Sequence, residues 1–148
     1  NRNGLIEAVI DDYVEDLVES VIVWNEARVF GDTPGSLKKC IQTFRYSLYD
    51  RAGRPRPVIA VLEELGVRDA FDVRATRETA DCLANHIAKE YAAYHRIEIE
   101  LVHEMFCVVI FGLVGLVKMN PRIEDDVLMK VIEQTLRLDM APLEAGGG

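Results

Sequence analysis

At 148 residues the chain has the length of one domain, enough to bury about two-thirds of its unfolded surface around a single core. Apolar residues at 49%, charged residues at 28%, 10 Gly and 5 Pro exclude the disordered, collagenous and low-complexity classes. Seventeen Lys and Arg against 25 Asp and Glu leave a net charge of −8, which repels phosphate backbones and argues against nucleic-acid binding by this chain on its own. The three cysteines, Cys40, Cys82 and Cys107, are odd in number, lack Cys-x-x-Cys spacing and lie in apolar stretches. They read as reduced, buried thiols of a cytoplasmic protein, with no disulfide framework, zinc ribbon or cofactor. The longest uncharged apolar run, Met105 to Val117, has 13 residues and falls short of the ~20 that cross a bilayer. It reads as a core or interface helix, and no membrane partner is expected.

The chain opens on Asn1-Arg2-Asn3-Gly4 without Met or a signal-peptide pattern, which reads as a fragment whose natural start lies upstream. Leu5, Val9, Tyr13, Leu17, Val21 and Trp24 recur at three- and four-residue spacing and predict a long amphipathic helix, capped by Asn1 and ending near Val29 before Gly31-Asp32-Thr33-Pro34-Gly35. Ser36 is positioned to cap a second helix with the stripe Leu37, Cys40, Ile41, Phe44 and Leu48, closed by Gly53-Arg54-Pro55-Arg56-Pro57. Pro57 suits the first turn of a short third helix carrying Val58, Val61, Leu62 and Leu65, with Gly66 as a left-handed C-cap. From Thr76, a helical face through Ala80, Leu83, Ile87, Tyr91 and Tyr94 meets no Gly or Pro before Gly112, so one long helix or two abutting ones are expected, with a kink near His95 to Ile97. Asn120-Pro121 stops that segment. A last helix, with Glu124, Asp125 and Asp126 at its N-terminus, carries Val127, Leu128, Val131, Ile132 and Leu136 to about Leu138. With no alternating strand pattern, the chain reads as an all-α bundle of about five or six helices over residues 1–139, followed by a flexible tail at 140–148. Charge is segregated: residues 1–35 carry −6, residues 36–77 carry +4 and the remainder −6.

Asn1 to Val9, a small polar cap and a basic residue followed by Leu and an Ala/Val turn, resembles the opening of the fourth helix in tetracycline-repressor (TetR) family regulators of bacteria. Gly112-Leu113-Val114-Gly115-Leu116 and the turn Met119-Asn120-Pro121 are similar to that family's penultimate helix and its link to the last one. The resemblance implies an effector-binding and dimerisation domain in which the last two helices form a four-helix interface with a second copy. It also implies that operator DNA is met only by an upstream helix-turn-helix that is absent from this chain. A small apolar or amphipathic effector would fill a cavity among the first helices and shift the disposition of the helix leading to the DNA-reading part.

Tyr13, Trp24, Phe44, Tyr91 and Phe106 fall on apolar faces of different elements and can converge on such a cavity, with His95 or Asn85 as a polar handle. Each aromatic taken alone is also an ordinary core residue. On the segment from Ile97 to Lys118 both flanks are apolar, so Leu101, Val108, Gly112 and Gly115, with Val127 and Val131 on the last helix, are expected to face a second copy. Glu100-Leu101-Val102-His103 has the Glu-x-x-His spacing of di-iron bundles, but neither His86 nor His95 has a Glu three residues earlier. Arg96 and His103 satisfy the Arg-x(4–6)-His spacing of HEPN-type ribonucleases, a reading opposed by Ile97 after the Arg and by the net charge. The absence of a nucleophile elbow, phosphate loop or His-Glu-x-x-His favours a non-enzyme. A free-standing acidic helical interaction protein is the remaining alternative.

Overall fold

The computed structural model describes residues 1–141, and these form an all-α bundle without a strand, a single bridge joining Tyr49 to Pro55. The helices are α1 (Arg2–Ala27), α2 (Thr33–Leu48), α3 (Pro57–Glu64), α4 (Arg68–Cys82), α5 (Ala88–Tyr94), α6 (Val102–Met119) and α7 (Asp125–Leu136). One π-helical turn, Leu83–Ile87, joins α4 to α5, so the chain presents six separate rods. Of the tail expected at 140–148, residues 142–148 lie outside the described residues.

α4 is the central rod, packed against α1 on one side and α6 on the other, while α2 bridges α1 and α7 and α3 braces α4. Val14, Ile59, Leu62, Phe71 and Leu128 are almost wholly enclosed in the core. Each contributes about 1.5–3 kcal/mol of burial free energy, which is why this arrangement of short loops and long rods holds.

The local signals explain most boundaries and correct others. Asn1 Oδ1 accepts the Gly4 amide at 2.7 Å, the expected cap. The inward face of α1 is Ile10, Val14, Leu17 and Val21, and Leu5 and Val9, assigned to that face from spacing, are exposed. α1 ends at Ala27 and not near Val29, because Arg28 turns to extended backbone. Asp32, not Ser36, caps α2: its carboxylate accepts the Gly35 amide at 3.0 Å, and Thr33-Pro34 fill the first turn, where a missing N–H leaves no bond unmade. Gly66 takes φ 73° after α3, with its own amide bonded to Glu63 and that of Val67 to Leu62, the left-handed cap that its lack of Cβ allows.

α4 begins at Arg68, eight residues before the expected Thr76. Its first turns carry a buried ionic network beside the enclosed Phe71 and Ala75. Arg68 donates to Asp72 at 2.7 Å, to Glu63 at 2.8 Å and to the Tyr49 hydroxyl at 3.1 Å, and Lys118 of α6 lies 2.5 Å from the other Asp72 oxygen. Burial pulls the Arg68 pKa down, but its bonds to Asp72 and Tyr49 outweigh that, and the guanidinium is held above its ordinary range. The continuous helix expected beyond Tyr94 is broken outright: residues 95–101 are non-helical, and Leu101, at φ 52°, occupies the left-handed region before α6. The last helix stops at Leu136, where Arg137 adopts φ 50° and the Leu138 amide reaches back to the Glu133 carbonyl at 3.0 Å.

Candidate functional site

Between the C-terminal part of α1, α2, the π turn and α6 lies a space that side chains do not fill. A cavity of about 230 Å³ remains, walled by α1, α2, the α4–π–α5 rod, residues 97–102, α6 and the inner face of α7. Trp24, Phe44, Tyr91, His95 and Phe106 all stand on its wall. Tyr13 does not: its ring lies 5.7 Å from that of Phe71 and its hydroxyl donates to the Ser47 carbonyl, fastening α1 to α2 in the closed part of the core. About two helical turns separate Tyr13 from Val21, the first residue of α1 on the cavity wall, a difference that spacing alone does not resolve. Asn85 projects outward from the π turn and is exposed.

Several polar groups on this wall already have partners. The Trp24 indole donates to the Ser36 carbonyl at 2.8 Å. His95 stacks on Tyr91 with ring centres 4.6 Å apart, and its Nδ1 lies 3.5 Å from the Asp139 carboxylate. The Tyr91 hydroxyl accepts the Asp139 amide at 2.8 Å, so the chain beyond α7 folds back over α5 at the cavity's edge, and Leu138 joins the wall. Arg28 pairs with Glu90, and Arg45 pairs with Asp125 at 2.9 Å while donating to the Pro121 carbonyl. Cys40 also lies on the wall, and burial pushes its thiol up to about 12, so it is a neutral, apolar surface at physiological pH.

Thr79 is the exception. It stands on the wall at 2% exposure, and its hydroxyl oxygen has no hydrogen-bond partner among the described residues. Sequence reasoning missed it together with Leu83 and Ile87, since nothing in Thr76 to Ile87 distinguishes a threonine bonded to its own helix from one left open, or foretells a π turn. Such turns concentrate at functional sites.

The outer face of α6 is a separate feature. Val108, Phe111 and Met119 are 62%, 51% and 77% exposed, Leu101 lies exposed just before the helix, and Val127 continues the patch on α7 while Val131 is half-buried. A Cβ built on Gly112 or Gly115 meets no atom within 4 Å, so both glycines lie open on that face. About a fifth of this apolar helix is buried within the protomer.

Other expected groupings do not assemble. Arg96 is exposed on the connector beside Glu98, and His103 lies 2.6 Å from the Asp81 carboxylate without hydrogen-bond alignment. Among the described residues no three His, Cys, Asp or Glu side chains cluster as metal ligands. No family model, curated protein or solved structure matches this chain.

Proposed function

We propose that this chain is the effector-binding and dimerisation domain of a transcriptional regulator of the tetracycline-repressor type. The observation that carries the reading is the apolar cavity, walled in part by Trp24, Phe44, Tyr91 and Phe106 and bounded by paired charges. An apolar void of this size forfeits dispersion and burial energy in the empty protein, and a ligand that fills it recovers both. A cavity of this size with an apolar wall and a few polar groups is the usual character of a small-molecule site. The cavity touches α1 at Val21 and Trp24 and its C-cap at Arg28, so an occupant bears directly on the helix that, in this reading, leads toward a DNA-reading unit. Differential affinity for two dispositions of α1 is then the mechanism by which the effector acts.

The exposed face of α6 and α7 supports the dimeric part. Val108, Phe111, Met119 and Val127 would pack on their symmetry mates, and the open glycines allow two α6 helices close approach. The test is a mobility-shift titration of the whole gene's product on DNA upstream of that gene, with and without compounds that raise the melting temperature of this chain. Salt-sensitive binding as a dimer, released by such a compound, is expected. A whole product that ignores DNA, or whose binding no stabilising compound alters, overturns the reading.

A further inference from the structure

Each charged or aromatic polar group at the cavity named above is committed to a partner: Arg28 to Glu90, Arg45 to Asp125, His95 and Tyr91 to Asp139, Trp24 to Ser36. A ligand carboxylate or ammonium would therefore enter an apolar space without a counter-charge to meet it, and burying an unpaired charge is prohibitive. Thr79 offers a buried hydroxyl on this wall that has no hydrogen-bond partner among the described residues. In an α-helix a threonine hydroxyl ordinarily bonds back to a carbonyl one turn earlier, so an unpartnered one at 2% exposure is a standing cost in the unliganded protein.

Size narrows the ligand further. A cavity of about 150 Å³ lined by Leu, Ile and Phe holds benzene, so in proportion the present 230 Å³ accommodates roughly nine non-hydrogen atoms. Trp24, Phe44 and Phe106 on the wall suit a ring, which aromatic side chains contact edge-on or offset. Resting on the reading of the cavity as a ligand site, we propose that it takes an uncharged, compact, largely apolar molecule bearing a single hydroxyl, and that Thr79 recognises that hydroxyl. The Thr79 oxygen is itself covered, so recognition requires a χ1 rotation that turns it to the ligand.

Three probes of about the same size separate the terms: 4-ethylphenol, 4-ethyltoluene, in which a methyl replaces the hydroxyl, and 4-methylbenzoate, which is charged. Calorimetric titration of the chain should show 4-ethylphenol bound about tenfold more tightly than 4-ethyltoluene and 4-methylbenzoate not bound. Thr79→Val, which keeps the shape and removes the hydroxyl, should bring 4-ethylphenol down to the affinity of 4-ethyltoluene and leave 4-ethyltoluene unchanged, whereas Thr79→Ser should retain the preference. The same Thr79→Val variant should melt about 3 °C higher without ligand, since it removes an unpaired buried group. Equal affinity for the phenol and the hydrocarbon, or an unchanged preference in Thr79→Val, removes the role of Thr79 and leaves the cavity a ligand site. Tighter binding of 4-methylbenzoate removes the charge argument. Failure of all three probes to bind overturns the cavity reading together with this proposal.

Discussion

Cys40 illustrates how one residue reports on the space around it. Its thiol faces an apolar wall, and the loss of hydration holds the proton to about pH 12, against an ordinary value near 9. Below pH 9 folded and unfolded chains both keep this proton. Between 9 and 12 the unfolded chain releases it while the folded one does not, so the unfolded state binds fewer protons and stability falls as pH rises, by up to ~1.4 kcal/mol per pH unit. Tyr13, Cys82 and Cys107 are raised by burial as well and act in the same direction. Urea unfolding of wild type and Cys40→Ala at pH 8 and pH 10.5 should therefore show a smaller alkaline loss in the variant. An equal loss in both would mean that Cys40 is hydrated. Native Cys40 should also resist alkylation at pH 8, because its thiolate is scarcely populated.

At the level of elements, α4 shows a helix held by charge where its sequence is poor in apolar residues. Arg68 and Asp72 are buried, Glu63 and Tyr49 complete the guanidinium's bonds, and Lys118 ties the same carboxylate to α6. A satisfied buried pair contributes little net stability, but removing one member leaves the others charged and unpaired. Asp72→Asn should therefore cost about 3–5 kcal/mol in denaturant unfolding, and a loss below about 1 kcal/mol would show the network to be solvated. Because α3, α4 and α6 meet at this point, the variant should also loosen amide protection along α6, read by hydrogen exchange.

The described residues together leave the outer face of α6 uncovered. Gly115→Leu places a side chain where the protomer has open space, so the fold of a single copy should tolerate it. In a dimer the same side chain would stand in the seam between two α6 helices. Light scattering at micromolar concentration should give twice the 16.7 kDa chain mass for wild type and a monomer for Gly115→Leu with an unchanged circular-dichroism spectrum. A wild-type monomer, or a variant that dimerises as well as wild type, removes the interface from this face.

The all-α class, the caps at Asn1 and Gly66, the short helix opened by Pro57 and the Asn120-Pro121 turn were legible in the chain itself, because each depends on residues a few positions apart. So was the aromatic set, of which Trp24, Phe44, Tyr91 and Phe106 reach one wall. Tertiary packing decided the rest. Helical spacing defines a stripe but not which edge of it turns inward, so Leu5 and Val9 lie outside while Ile10 and Val14 lie inside. The start of α4 at Arg68 depends on Tyr49 and on partners from α3 and α6, the break at residues 95–101 on no proline or glycine, and the unpartnered Thr79 hydroxyl on the packing around it. A void is a property of the distances between elements, and those are set by the sum of all contacts in the core, which no local pattern encodes.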